Sequence, residues 1–442
     1  MTNPLLAADS YKHSHFLQYP PEVKYVSAYL EARENNNSPH VKFLGLNRAL
    51  TRLEQKITND HIDEAEHKLR QHGVPFNRAG WTRLVEDFDG RMANVLHIEA
   101  IREGRVVPCG TPLVQVRNTV ENFHWLPTFI ETALMRDIWY PSTVATVSLS
   151  VYDMLYAFHS ESSDEPVETL AYKLHDFGAR GVSSAESAAI GGAAHLTVFK
   201  GSDTLEAIEH IHDHMWGYGM PSNSIPAAEH STITSWGMQR EVEAYLNMLK
   251  QFPDGPVAVV SDSYDLEHAV REIWCRDLRE EVLARKFPVI IRPDSGDPVE
   301  TPLKVLSWLW DAYGGTTNSK GYSVLHPNVR VIQGDGMTPE TIQRLLNRME
   351  YLGWSIDNIA VGMGGGLLQK VDRDTLRFAM KASAVSTDGV NWTGVCKNPR
   401  TDPSKASKSG ILFVDNDTFE VTNNYLENNA LNVNALRAFD EY

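Results

Sequence analysis

From about Tyr172 onward the chain alternates short apolar runs with segments of helical periodicity, and each apolar run gives way to polar residues. No other feature limits the fold as much, because this alternation is the pattern of a parallel α/β architecture. The runs are Tyr172–Leu174, Leu196–Phe199, Ser224–Pro226, Val257–Val260, Pro288–Ile291, Val329–Ile332, Asn358–Val361 and Arg377–Met380. They lead into His175-Asp176, Lys200, Glu229-His230, Ser261-Asp262, Arg292-Pro293-Asp294, Gly334-Asp335, Gly364-Gly365-Gly366 and Lys381. In a (β/α) barrel the C-terminal strand ends converge on one pocket. A doubly wound open sheet also binds ligands at strand ends. The barrel is favoured because polar endings recur on nearly every run, although turn chemistry alone puts Asp and Gly after strands. Helices fit between the runs. Val242, Tyr245, Leu246 and Leu249 share one face, and so do Ile342, Leu345, Leu346 and Met349, whose helix has Thr338 as N-cap and Pro339 at its first position.

The flanking regions read differently. Near the start, the sequence predicts a helix over Thr58–Gln71, paired strands at Leu96–Ile101 and Leu113–Val116, and helices broken at Pro127 and Pro141 within the apolar stretch Val120–Tyr156. After Lys381, antiparallel signals return, with turns at Asp388-Gly389 and Asn416-Asp417. The expected organisation is an α/β barrel domain over 151–384, flanked by a discontinuous mixed α+β domain made of 1–150 and 385–442.

Composition excludes several classes of function. A formal net charge of -16 repels a nucleic acid backbone, and no basic stripe with interleaved aromatics offsets it. No apolar run approaches the length of a membrane span, and Met1–Tyr11 lacks the basic and apolar regions of a secretory signal. Cys109, Cys275 and Cys396 are too widely spaced to suggest a disulfide framework or a zinc site, which fits a reducing cytoplasm. Walker A, G-x-G-x-x-G and HExxH motifs are all missing from the sequence.

The candidate strand ends sort by chemistry. Arg180, Lys200, Arg292 and Lys381 can hold phosphates, and Gly364-Gly365-Gly366 resembles a backbone N–H nest. Asp262, Asp294 and Asp335 can take ribose hydroxyls or magnesium. His230 follows Glu229, and Asp262 is placed to hold one imidazole nitrogen and leave the other free as nucleophile or base. Blander readings stand beside these. The glycines can be a turn, the Arg and Asp residues can pair around a rim, and His230 is one of 17 histidines. Asp203 opens Asp203-Thr204-Leu205-Glu206, which reads as a capping box. Residue chemistry alone reaches a phosphosugar enzyme on a barrel.

Several longer motifs resemble those of the nicotinamide phosphoribosyltransferase family. They are Lys173-Leu174-His175-Asp176-Phe177-Gly178, Pro226-Ala227-Ala228-Glu229-His230-Ser231-Thr232-Ile233-Thr234, Ile291-Arg292-Pro293-Asp294-Ser295-Gly296, Val331-Ile332-Gln333-Gly334-Asp335-Gly336 and Gly364-Gly365-Gly366-Leu367-Leu368-Gln369-Lys370. The similarity extends from Asp9-Ser10-Tyr11-Lys12 to Lys397 and Lys405. It implies a type II phosphoribosyltransferase fold and a homodimer with shared sites. The substrates would be nicotinamide, phosphoribosyl pyrophosphate (PRPP) and ATP, with Mg2+ as cofactor. The resemblance places Phe177 on one face of the pyridine ring and Tyr11 of a second copy on the other. Asp203 would accept from the carboxamide nitrogen and repel nicotinate. Arg180 and Arg292 would bind phosphate or ribose oxygens, Asp294, Gly334 and Asp335 the ribose, and Gly364 and Gly365 the 5-phosphate. Arg373, Lys381 and Lys405 would come from the second copy to the pyrophosphate and ATP phosphates. His230 would be phosphorylated by ATP, with Asp262 and Glu229 beside it. Ala179, Ala258 and Met363 depart from the family pattern, and the last two bear on the channel behind the pyridine site. A nicotinate-specific relative and a catalytically silent dimer are the competing readings.

Overall fold

In the computed structural model the described residues are 3–33, 38–215, 220–401, 405–423 and 436–438, and the chain divides into two compact units. One unit is Met1–Thr146 with Asp372–Tyr442, and the other is Val147–Val371.

The first unit is built on a six-stranded antiparallel sheet. Tyr25–Glu31 lies in its middle, between Pro112–Asn118 and Ala379–Ser386. The C-terminal part of the chain therefore pairs with the N-terminal part, as its antiparallel signals suggested. Leu96–Ala100 adds to Pro112–Asn118 with Ile98 opposite Val116. The helix Asn59–His72 starts from a capping box: Thr58 accepts from the His61 N–H, and the His61 side chain accepts from the Thr58 N–H. It ends at Gly73 (φ 85°), which takes the left-handed conformation that stops a helix. Ile62, Ala65 and Leu69 form its buried stripe.

Two expectations fail here. The helix Glu131–Ser162 runs through Pro141 without breaking. Proline removes the hydrogen bond to the carbonyl four residues earlier, that of Asp137. Gly45 packs against this carbonyl so closely that a Cβ there would sit 2.0 Å from the oxygen. The Asp137 carboxylate is itself fixed by Arg48 (2.9 Å) and Arg52 (2.7 Å). The second correction concerns Arg377–Met380, read above as the eighth barrel strand. It leads into Ala379–Ser386, which pairs antiparallel with Tyr25–Glu31 and sets Lys381 opposite Tyr29. An apolar run shows strand propensity but not its partner, and here the partner lies some 350 residues earlier.

The second unit carries a parallel sheet in the order Gly201–Ser202, Leu174–Asp176, Ile359–Met363, Val329–Gln333, Val289–Arg292, Val257–Val260. An irregular segment joins its two edges. Asn223 bridges Gly201, and Ala227 bridges Ala258, both in parallel sense. The Asn223 N–H donates to Lys200 O (2.7 Å) and the Ala258 N–H to Pro226 O (3.0 Å). The sheet thus closes into a barrel through Asn223–Ala228. Leu196–Phe199 is not a strand; it forms the turns that end the helix Ala185–His195, and the short strand follows at Gly201. The helix Pro339–Leu352 has the expected Thr338 cap and buries Ile342, Leu345, Leu346 and Met349.

Candidate active site

The barrel of the second unit is not filled. A cavity of about 420 Å³ runs along it from Tyr172 and Pro256, which precede their strands, to His175, Phe177, Asp203 and Arg292 at the C-terminal ends. Gly201, Ala258 and Ala360 line it with little side-chain bulk. That volume suits a small ring compound.

One side of the mouth is organised by Asp176, a residue to which sequence reasoning gave no role. It is fully buried, and its carboxylate accepts from the Gly178 N–H (2.7 Å), the Ser202 hydroxyl (3.1 Å) and the Thr204 hydroxyl (2.7 Å). It ties the turn after one strand to the turn after its neighbour. A carboxylate closing an apolar strand just before Phe-Gly was the available signal. Phe177 then packs closely against the sheet: a Cβ on Gly362 would come 2.1 Å from its ring, and one on Gly334 would come within 3.2 Å. The His175 ring is 4.8 Å from that of Phe177.

Asp203 faces the cavity and does not cap a helix. The following helix is Glu206–His214, its N-cap is Leu205, and no side-chain cap bond forms. One carboxylate oxygen, Oδ1, accepts from His175 Nε2 (3.0 Å) and from the Ser224 hydroxyl (2.5 Å). Burial pushes the Asp203 pKa up, but these two donors and the Arg292 charge outweigh it and hold the group below the usual carboxylate range. Asp203 is therefore an anion with Oδ2 left to meet a ligand donor.

The opposite side carries His230, Asp262, Asp294 and Arg292. His230 opens the short helix His230–Thr234, and Asp262 follows the Val257–Val260 strand. Their side chains meet at 3.1 Å, Nε2 to Oδ1. A carboxylate only accepts, so Nε2 is the donor in this contact. Asp294 Oδ2 lies 3.8 Å from His230 Nδ1 and 3.8 Å from Arg292 Nη2. The Nε of Arg292 is buried with no hydrogen-bond partner among the described residues. Glu229 does not join this group through a bond to His230. It is exposed and accepts from Ser231, two residues on, because the turn into the helix directs it away.

The glycine run begins the short helix Gly365–Leu368, and a Cβ on Gly181 would come 3.5 Å from the Gly365 nitrogen. The exposed Arg180 stands on this close-packed turn, while Gly334 and the exposed Asp335 follow the adjacent Val329–Gln333 strand. Lys200 is exposed before its strand; its N–H donates to Ala171 O (2.7 Å) and its carbonyl accepts from Asn223.

Tyr11, Arg373, Lys381 and Lys405 belong to the first unit. Tyr11 is 58% exposed and stands on a turn whose Lys12 is anchored to Glu131 (2.6 Å) and Thr128 O (2.9 Å). Arg373 donates to Phe378 O (2.7 Å), and Lys405 is exposed. Burial lowers the Lys381 pKa, and the like charges of Arg33, Lys397 and Lys12 press it further down against the pull of Glu131. Such a concentration of cations suits a polyanion. Arg33 was given no role in the sequence reading, since no motif singled it out there. Its Nη2 is nonetheless buried with no hydrogen-bond partner among the described residues.

Comparison with known proteins adds the following. Residues 172–437 match the nicotinate phosphoribosyltransferase (NAPRTase) family, and residues 3–95 match the nicotinamide phosphoribosyltransferase N-terminal domain. A nicotinamide phosphoribosyltransferase of Xanthomonas campestris is 49% identical over 94% of this chain and 88% of its own. One from Acinetobacter baylyi is 31% identical over 93% and 88%. Among solved structures, nicotinate-nucleotide pyrophosphorylase from Pyrococcus furiosus aligns with a TM-score of 0.60 at 16% identity, covering 99% of this chain and 89% of that one. Human nicotinic acid phosphoribosyltransferase aligns with a TM-score of 0.54 at 15% identity, covering 86% and 74%. These two likenesses are of fold. No helix among the described residues is long and apolar enough to cross a membrane.

Proposed function

Because the chain belongs to the nicotinate phosphoribosyltransferase family, we propose that it transfers the 5-phosphoribosyl group of PRPP to nicotinamide, yielding nicotinamide mononucleotide and pyrophosphate in NAD salvage. The observation that carries the choice of base is the Asp203 carboxylate, an anion at the cavity mouth with one oxygen already filled by His175 and Ser224. A carboxamide N–H2 can donate to the other oxygen, whereas nicotinate would set a second carboxylate against it.

Phe177, held on Gly362, supplies an aromatic face for the ring, which becomes a pyridinium cation as its nitrogen bonds the anomeric carbon. The bond from that carbon to pyrophosphate breaks in the same displacement. This chain's task is then mainly electrostatic: to hold the phosphates and neutralise the departing pyrophosphate. Arg292, Arg180 and the Gly364-Gly365 turn are the second unit's candidates for phosphate and ribose oxygens, and Asp294, Gly334 and Asp335 for the ribose. We further infer a homodimer in which a second copy contributes Tyr11, Arg373, Lys381 and Lys405.

The family resemblance implies magnesium. Among the described residues there is no group of three or more His, Cys, Asp or Glu that could hold a metal ion. Magnesium commonly keeps its waters and is held by one or two carboxylates together with substrate phosphates. Asp294 and Asp335, beyond neighbouring parallel strands, could supply those carboxylates. When bound, the ion would neutralise charge on the pyrophosphate.

Coupling to ATP would use His230. Its Nδ1 would bond the γ-phosphorus while the bond to the β-phosphate bridging oxygen breaks, releasing ADP, with Nε2 kept on Asp262. Water would later release inorganic phosphate. The test is mononucleotide formation from PRPP and magnesium with nicotinamide or nicotinic acid, each with and without ATP, for the wild type and His230→Ala. The expected outcome is preference for nicotinamide and a stimulation by ATP that His230→Ala abolishes while ATP-independent synthesis remains. Preference for nicotinic acid would overturn the base assignment, undiminished stimulation in His230→Ala the histidine's role, and no product from either base would favour a non-catalytic dimer.

A further inference from the structure

The Val257–Val260 strand continues into Ser261 and Asp262, and these two residues face opposite ways. Ala258 lines the barrel cavity. By the two-residue period of a strand, Asp262 falls on the same inner side, where it meets His230, and Ser261 falls on the outer side, toward the helices. The Ser261 N–H still donates to Arg292 O (3.0 Å), so the strand keeps its course to this point. The Ser261 hydroxyl is fully buried: it donates to Val259 O (3.0 Å) and accepts the indole N–H of Trp274 (3.0 Å), with the Tyr245 hydroxyl also in hydrogen-bond contact.

Trp274 lies in Ala269–Asp277, a π-helical segment, which is a rare form found frequently at functional sites. The side chain is 1% exposed and firmly held. Its ring stacks on Tyr245 with centroids 4.6 Å apart and planes within 6°. The Tyr245 hydroxyl donates to Glu241 (2.9 Å), and the Trp274 carbonyl accepts from the Tyr313 hydroxyl (2.5 Å). A buried indole N–H needs an acceptor, and a backbone carbonyl would serve. This one instead reaches the residue next to the carboxylate that holds His230. On its other oxygen, Asp262 accepts from Ser295 (2.5 Å).

We propose that Trp274 is a positioning residue for His230: through the Ser261 hydroxyl, its indole N–H fixes the rotation of the strand end that aims Asp262 at Nε2. The inference rests on the reading of His230 as the group that takes the phosphoryl from ATP. Forming the N–P bond in line with the breaking P–O bond needs Nδ1 in one orientation, and the imidazole keeps it only while Nε2 is held.

The experiment uses the full chain with Trp274→Phe, which keeps an aromatic ring and removes the N–H, and Ser261→Ala, which removes the acceptor. Mononucleotide synthesis is measured with and without ATP, together with the KM for nicotinamide and the phosphoryl label bound per chain from γ-labelled ATP. In each variant the ATP-stimulated kcat and the bound label are expected to fall about tenfold, as for a misplaced nucleophile, with ATP-independent synthesis and the KM for nicotinamide within about twofold of wild type. The double variant should fall no further than either single one. Full stimulation and labelling in Trp274→Phe would overturn the proposal, as would a parallel loss of both rates, which marks a merely structural role. A wild-type enzyme with neither stimulation nor label would overturn the reading of His230 itself and this inference with it.

Discussion

Asp203 and His13 show how a side chain's surroundings set its charge. At Asp203, burial is outweighed by two donors on one oxygen, so the group stays ionised below the ordinary carboxylate range. Asp203→Asn keeps the shape and removes the charge that repels nicotinate. The ratio of kcat/KM for nicotinamide over nicotinic acid should fall at least about tenfold, or roughly 1.4 kcal/mol. An unchanged ratio would leave Asp203 as a partner of His175 only. At His13 burial wins: enclosed by Phe76 and Phe129, the imidazole is pushed down to about 4 against the pull of a hydrogen bond to the Leu5 backbone. The unfolded chain then binds a proton that the folded one refuses. Its contribution to stability is complete above pH 6.5 and is lost as the pH falls from there to about 4. His13→Phe should flatten the dependence of unfolding free energy on pH in that window, as denaturant titrations at several pH values would read.

At the scale of elements, the Ile359–Met363 strand does more than close the barrel. Its Gly362 leaves the space in which Phe177 lies, and a Cβ there would come 2.1 Å from the ring. Gly362→Ala must therefore lift or turn Phe177, an overpacking of about 1–3 kcal/mol. We expect the KM for nicotinamide to rise about tenfold while the KM for PRPP changes little, since Phe177 is read as contacting only the base. Equal rises in both would show that the whole strand end had moved. The helix Glu131–Ser162 makes a related point: Pro141 alone signals a break, yet the helix passes through it beside Gly45 and a side chain held by Arg48 and Arg52.

For the whole molecule, the residues assigned to one reaction lie in two compact units, with Asp294 in one and Lys381 in the other. If a second copy completes each site, Asp294→Ala and Lys381→Ala should each be inactive alone and recover activity when mixed and reassembled. Random pairing gives half mixed dimers, each with one intact site, so roughly a quarter of wild-type activity is expected. No recovery in mixtures shown to contain mixed dimers would place all these residues in a site made by one chain.

Much of this protein was legible in its sequence because its signals are local. Most of the strand runs with polar endings, the Thr338 cap, the helix after Thr58 and the His230 to Asp262 order lie within short stretches, and the structure carries them. What the sequence by itself determined is the alternating α/β order, the motif set that marks the family and the residues available at the strand ends. Only the tertiary structure decided that Ala379–Ser386 pairs with Tyr25–Glu31, that an irregular segment seals the barrel, and that Asp203 turns to His175 and not to a helix end. It also decided that Asp176 ties two neighbouring turns together and that the Trp274 indole meets the Ser261 hydroxyl. These are contacts between residues distant in the chain, and their energy depends on burial and on which donors meet, neither of which a local pattern encodes.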